Sequence, residues 1–385
     1  MRVLTVIGAR PQFIKAAIVS RAMQAASDMD ELLLHTGQHY DENMSGVFFT
    51  ELGIPTPHFQ LESGPGTHGA QTARMLAGIE SAIQESKPDW VLVYGDTNST
   101  LAGALAAVKL HVPVAHVEAG VRSFNRYMPE EINRIATDHI CQLLLPPTKI
   151  AIDLLVKEGV PSDRIHLVGD VTCDAAVHFA GFAESQSDIL DRLDLDSKSY
   201  ALVTAHRAEN VRQSEQFAQL ISGIKDLAKS MQVVWPVHPG TRKLANEQGL
   251  FDDLPAGLKL IDPIGFLDSL CLQKHAIVLA TDSGGMQKEA FVLGIPCLTL
   301  REETEWTETI DLGWNRLVRQ TEFADLRNVC ERWLEQERDT EKLEFFGDGE
   351  SPRRIVEVLR QYANVPKDEL FILRPNGPRK SATHD

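Results

Sequence analysis

Three acidic positions stand where apolar runs give way to polar turns. Trp90–Tyr94 is followed by Gly95-Asp96-Thr97-Asn98-Ser99, and Val114–Val117 by Glu118-Ala119-Gly120-Val121-Arg122. Met128-Pro129 leads into Glu130-Glu131-Ile132-Asn133-Arg134. A carboxylate closing an apolar run is costly if buried alone, so each is either partnered or functional. Asp96 could cap the helix that follows, but Asn98 or Ser99 could do that and leave Asp96 facing a ligand. Glu130 and Glu131 flank a helix start set by Pro129, where the helix dipole accounts for one of them. Grouped carboxylates raise one another's pKa, which suits proton transfer near neutral pH. No metal is called for, because His116 has no partner at ligand spacing.

A second set of turns favours anions. Gly8-Ala9-Arg10-Pro11 opens a helix that carries Lys15 one turn on. The glycine lets backbone approach a ligand, and Arg10 and Lys15 either bind an anion at the helix N-terminus or form a solvated basic pair. The spacing is not GxGxxG, so a dinucleotide is not indicated. Thr204-Ala205-His206-Arg207 leaves another apolar run; His206 is either structural or, with Arg207 beside it, a phosphate or ring-oxygen contact. Asp282-Ser283-Gly284-Gly285-Met286-Gln287-Lys288-Glu289 reads as strand, turn and helix. Its turn N–H groups form a nest for a diphosphate, with Glu289 one turn on to accept from ribose hydroxyls.

The elements that must carry these turns alternate. Apolar runs at Val3–Ile7, Leu32–Thr36, Trp90–Tyr94, Val114–Glu118, Ile165–Leu167, Tyr200–Thr204, Gln232–Val237, Leu258–Ile261, Ile277–Ala280 and Cys297–Leu300 predict strands buried on both faces. Amphipathic stretches, among them Pro11–Ala26, Ser99–Lys109, Glu130–Leu143, Gln213–Lys229 and Met286–Leu293, predict the helices between them. The pattern predicts an α/β protein of two doubly wound domains facing a cleft, with ligands beyond the carboxyl ends of the strands. The expected division is 1–170 with the acid/base carboxylates, 171–350 with the diphosphate nest, a last helix over 351–365, and a tail over 366–385 that is disordered from about Pro375. At 385 residues, roughly 100–200 per domain gives the same count.

The formal net charge is -16, which argues against nucleic acid as a partner. Five scattered cysteines without CxxC spacing predict free thiols in a reducing compartment. No signal-peptide pattern opens the chain and no apolar run approaches a membrane span, so a cytoplasmic protein without a membrane partner is expected.

Taken together, Gly8-x-Arg10-Pro11-x-x-x-Lys15, Thr36-Gly37-Gln38-His39, Gly95-Asp96-Thr97, Val117-Glu118-Ala119-Gly120-x-Arg122, Pro129-Glu130-Glu131-x-Asn133-Arg134, Thr204-x-His206-Arg207, Asp282-Ser283-Gly284-Gly285 and Arg301-x-x-Thr304-Glu305 resemble the non-hydrolysing UDP-N-acetylglucosamine 2-epimerases over about Val3–Leu359. The resemblance implies two Rossmann-like domains of the glycosyltransferase-B type, a last helix crossing back to the first domain, a homodimer, no cofactor, and a role in cell-surface polysaccharide synthesis. It implies catalytic roles for Asp96, Glu118, Glu130 and His206. Arg10, Lys15, Gln38, His39, Arg134, Arg207, Ser283, Gly284, Gly285, Glu289 and Arg301 would bind the UDP-sugar, with Arg10, Lys15 and His206 on the nucleotide and diphosphate side.

Some motifs depart from the family. Trp306-Thr307-Glu308 stands where Arg-Pro-Glu is usual, His206-Arg207-Ala208-Glu209 where HRRE is usual, and His238-Pro239-Gly240 where His-x-Asn-Pro is usual. The last two lie near the place where family members bind a second, activating UDP-GlcNAc. These features look more like the branch acting on UDP-2,3-diacetamido-uronates, which serves bacterial O-antigen synthesis. The rival readings are a retaining glycosyltransferase of the same fold, a hydrolysing epimerase that releases free ManNAc, and a non-catalytic sugar-nucleotide sensor.

Overall fold

A computed structural model describes residues 1–38, 49–206, 210, 214–338 and 345–372. Two six-stranded sheets, parallel throughout, organise it. The first contains β1 (Arg2–Ile7), β2 (Asp30–His35), β3 (Phe59–Gln60), β4 (Trp90–Tyr94), β5 (Val114–Val117) and β6 (Leu143–Leu145), in the order β3-β2-β1-β4-β5-β6. The second contains β7 (Tyr200–Thr204), β8 (Gln232–Pro236), β9 (Leu258–Ile261), β10 (Val278–Thr281), β11 (Cys297–Thr299) and β12 (Asn315–Leu317), in the order β12-β11-β10-β7-β8-β9. The central strands are buried on both faces, as their unbroken apolar runs require; every residue of Trp90–Tyr94 is buried.

Strand order reverses between β1 and β4 in the first sheet and between β7 and β10 in the second. Helices leave these strands toward opposite faces, so the backbone parts at the strand ends and opens a crevice. The turns at 8–15, 95–98, 204–206 and 282–285 all follow one of these four strands.

One core runs through both halves. It joins Phe13 and Ala17 of the helix Arg10–Gln24, Ala175 and Phe179 of the helix Val171–Gln186, Leu270 and Leu272 of the helix Phe266–His275, and Ile355 and Leu359 of the last long helix. That last helix, Ser351–Gln361, packs on Arg10–Gln24. Its start is fixed by Asp174, which accepts from the Ser351 N–H at 2.9 Å and from the Ser351 hydroxyl. Near its end, Arg360 pairs with Asp28.

The structure corrects several element boundaries. Ile165–Leu167 is not a strand; only one bridge, Leu144 to Ile165, forms after a short 3₁₀ turn over Ser162–Arg164. The helix expected over Glu130–Leu143 ends at Ile140, because Leu143–Leu145 pairs with β5. The strands β3, β6 and β12 were not expected; two or three residues are too few to show a periodicity. All five cysteines are free and buried. Among the described residues no helix is long and apolar enough to cross a membrane. The tail expected to be disordered from about Pro375 lies outside the described residues.

Candidate active site at the facing strand ends

The turn after β1 is held by a residue the sequence did not single out. The buried Gln12 accepts from the N–H groups of Gly8 (2.8 Å) and Ala9 (3.0 Å). It donates to the Tyr94 carbonyl and the Thr100 hydroxyl, each at 3.0 Å. The ends of β1 and β4 are thereby tied together. Gly8 is required there, since a Cβ would lie 2.0 Å from Thr36 Oγ1 and 2.2 Å from Ser99 Oγ. Gln38 closes the same edge, accepting from the Ser99 N–H (3.1 Å) and hydroxyl (2.7 Å). His39 lies outside the described residues.

Asp96 is released from capping because Thr97 caps the helix Asn98–Lys109, accepting from the Thr100 N–H. It is not unpaired, however. Arg134 Nη2 reaches Asp96 Oδ2 at 2.5 Å, and Asn133 donates to the Asp96 carbonyl at 2.9 Å. Glu118 follows β5 with a φ of 70°, a left-handed backbone uncommon for a non-glycine residue. Its carboxylate lies between two ammonium groups, Lys15 Nζ at 2.7 Å and Lys288 Nζ at 3.0 Å.

Glu130 and Glu131 separate cleanly. Glu131 is buried and accepts from the N–H groups of Ser123 and Phe124, both at 2.9 Å, and from Arg134 Nη1 at 3.0 Å. It fixes a loop. Glu130 is half-buried, and among the described residues its carboxylate has no hydrogen-bond or ion-pair partner. Behind them, Asp138 holds His116 Nδ1 (2.7 Å), Arg122 Nη1 (2.7 Å) and the Gly120 N–H (3.0 Å). The other nitrogen of His116 reaches the Gly95 carbonyl at 2.7 Å, so the buried His116 is structural and joins the turns that carry Asp96 and Glu118.

Across from these turns, Ser283-Gly284-Gly285 opens the helix Gly284–Val292. The first N–H groups of a helix have no acceptor within it, which is what an anion requires. Asp282 organises the neighbouring turn: it accepts from the His206 N–H at 2.8 Å and from Asn210 at 3.2 Å, and it sits 3.2 Å from His206 Nδ1. The imidazole of His206 is half exposed beside the nest. Arg207 lies outside the described residues. Glu289 is buried and accepts from Gln273 at 2.8 Å; burial pushes its pKa up, opposed by Gln273 and by the charges of Arg10 and Lys288. Arg10 is half-buried, and burial pushes its pKa down, opposed by the charges of Glu289 and Glu51.

One sequence expectation changes. The carboxylates were expected to raise one another's pKa. Burial does push Glu118 upward, but Lys15 and Lys288 outweigh it and hold the carboxyl well below the usual range. The Lys15 ammonium lies on Glu118. Arg301 forms a bidentate pair with Glu305 at 2.9 and 3.1 Å. Glu305 Oε1 lies 3.7 Å from Arg134 Nη2, so the chain Asp96–Arg134–Glu305–Arg301 bridges the two halves. Asp138, Asp170 and Lys288 were not singled out as site residues; each pairs with a residue distant in sequence.

The site thus sets carboxylates on one wall against a helix N-terminus on the other, joined by buried ion pairs. Known proteins match along nearly the whole chain. The family described as UDP-N-acetylglucosamine 2-epimerase matches residues 21–360. A Methanococcus maripaludis protein described as a UDP-N-acetylglucosamine 2-epimerase homolog is 46% identical, over 94% of this chain and 99% of its own. The UDP-2,3-diacetamido-2,3-dideoxy-D-glucuronate 2-epimerase of Pseudomonas aeruginosa is 45% identical, over 93% of this chain and 99% of its own. The crystal structure of the Methanocaldococcus jannaschii UDP-GlcNAc 2-epimerase in complex with UDP-GlcNAc and UDP superposes with a TM-score of 0.87 at 42% identity, covering 94% of this chain and all of that one. The fold is of the glycosyltransferase-B type, and the chain belongs to the UDP-N-acetylglucosamine 2-epimerase family of isomerases.

Proposed function

We propose that the protein inverts C2 of a UDP-2-acetamido sugar, converting UDP-GlcNAc to UDP-ManNAc without net hydrolysis. The observation that carries this reading is the pairing of the Asp96, Glu118 and Glu130 wall with the Ser283-Gly284-Gly285 nest. The C2 proton is not adjacent to a carbonyl, so direct removal is very hard. In the proposed route a carboxylate takes the C2 proton, the C–H electrons form the C1=C2 bond, and the C1–O bond breaks so that UDP leaves with its electron pair. The 2-acetamidoglucal is reprotonated at C2 on its other face, and a β-phosphate oxygen re-forms the bond to C1.

Asp96 and Glu118, each held by cations, supply negative charge opposite the positive charge that develops at C1. Glu130, with no partner among the described residues, carries the proton. The nest and His206 receive the leaving diphosphate, with Arg10 and Glu289 toward the nucleotide. We place the domain boundary at residue 170, after Gly169 with its φ of 94°. A cytoplasmic homodimer completes the reading, and the particle mass in solution tests its second part.

A second substrate, UDP-2,3-diacetamido-2,3-dideoxyglucuronate, is favoured by Trp306 and by the 45% identical Pseudomonas relative that carries that name. Each sugar nucleotide incubated with the protein in D₂O tests both readings. Deuterium at C2 of a UDP-linked product is expected for the true substrate. UDP release without exchange at C2 from either compound sinks the proposal.

A further inference from the structure

Lys288 has no assigned part in the site, yet it is among the most deeply buried cations of the chain. Its side chain is 1% exposed. It sits one turn into the helix whose first residues form the nest, and it points across to the other half. Its Nζ lies 3.0 Å from Glu118 Oε2 and 2.6 Å from Asp170 Oδ2. The Trp306 ring covers it, with the centroid 3.7 Å from Nζ. Asp170 is fixed in turn, because its other oxygen caps the helix Val171–Gln186 by accepting from the N–H groups of Thr172 (2.8 Å) and Cys173 (3.0 Å).

An ammonium placed this way cannot turn to a ligand without leaving Asp170 buried and uncompensated and Glu118 with Lys15 alone. It does not belong to the nest on whose helix it rides. We propose that Lys288 is a positioning residue: it holds Glu118 anionic and in place, so the carboxylate wall of one half depends on the nest helix of the other. This rests on the epimerase reading above, in which Glu118 must be charged while UDP departs. Glu118 faces Lys15 on the first helix and Lys288 on the nest helix. Around Lys288 stand Asp170, Cys173, Glu289 and Glu308, and among the described residues Lys15 and Lys288 are the cations that act on Glu118.

The test compares the wild type with Lys288→Met, Lys288→Arg and the double variant Lys288→Met/Asp170→Asn. The double variant removes both charges of the buried pair and retains a folded protein if the single change does not. Two readouts are taken across pH: kcat and kcat/KM for C2 exchange, and the infrared carboxyl stretch of Glu118, isolated by subtracting a matched Glu118→Gln spectrum. Losing one of two neighbouring ammonium groups raises the pH at which Glu118 protonates by about one unit or more. The acid limb of kcat/KM moves up by the same amount, kcat falls by about 100-fold, and UDP affinity stays within about threefold, as expected when an interaction made in the transition state is lost. Lys288→Arg restores both profiles to near wild type. A folded methionine variant, single or double, whose Glu118 infrared titration matches the wild type overturns the proposal, whatever its turnover. Absence of C2 exchange in the wild type counts against the epimerase reading alone, because the infrared titration does not depend on turnover.

Discussion

Asp96 and Glu118 both terminate apolar strands, yet each answers to its own cation: a guanidinium that also serves Glu131 and lies near Glu305, and two ammonium groups. Their roles follow from those partners. Asp96→Asn and Glu118→Gln keep shape and lose charge. Each is expected to lower turnover by about 10²–10⁴-fold, with circular dichroism unchanged. Wild-type rates in both would remove the electrostatic assignment. Glu118 also carries a pH signature. A carboxyl whose folded pKa is depressed contributes stability above its unfolded value, near 4.3, and loses it as pH falls through the folded one. The stability deficit of Glu118→Gln is therefore expected to be largest at neutral pH and to narrow below about pH 4, which denaturant midpoints across pH will check. A deficit constant from pH 7 to 3 contradicts the depressed pKa. The residue types were legible in the sequence; the identity of each cation was not, since Lys288 and Glu118 lie 170 positions apart.

At the scale of elements, the site depends on tight turns at the ends of β1, β4 and β5. Gly120 has a φ of 80°, and a Cβ there would lie 2.5 Å from the Ala151 carbonyl oxygen and 2.9 Å from Leu155. Gly64 also has a positive φ, 57°, but its Cβ would meet nothing within 4 Å. Gly64→Ala is expected to cost only about 1 kcal/mol, from the backbone alone. Gly120→Ala adds steric overlap with backbone and is expected to cost about 3 kcal/mol or more. Chemical denaturation of both variants measures the difference, and equal costs would refute the close approach. The long buried strands were legible because their apolar runs are unbroken. The short edge strands were not, because Phe59–Gln60 and Asn315–Leu317 take their conformation from their neighbours.

At the scale of the molecule, the halves meet through ions and caps as well as apolar packing. Lys288 joins Glu118 and Asp170, Asn125 donates to Glu303 at 2.8 Å, and Glu51 accepts from the Phe266 N–H at 2.9 Å to close the start of a helix in the other half. A ligand that binds only the folded form adds to this, and UDP at 100 times its Kd is expected to stabilise the protein by about 2.7 kcal/mol. Gly284→Val should abolish that increment. A Cβ at Gly284 meets the Trp306 indole nitrogen at 3.4 Å, so the fold accommodates the change while the added methyl groups obstruct the nest. Thermal melts of both proteins with and without UDP give the answer; an undiminished UDP shift in the variant places the diphosphate elsewhere.

Residue order alone determined the repeated strand–helix alternation, the turns at the strand ends, the Gly284–Gly285 pair at a helix start and the carboxylates that close the strands. Those signals are local: burial on both faces, backbone freedom and helix starts are all written within a few neighbouring residues. Tertiary structure alone decided which cation each acid meets. It turned Lys15 inward to Glu118, gave Arg301 to Glu305, set Glu131 to bracing a loop and left Glu130 without a partner among the described residues. Coulomb interactions act through space, so charges remote in sequence become dominant neighbours once folding removes the water between them.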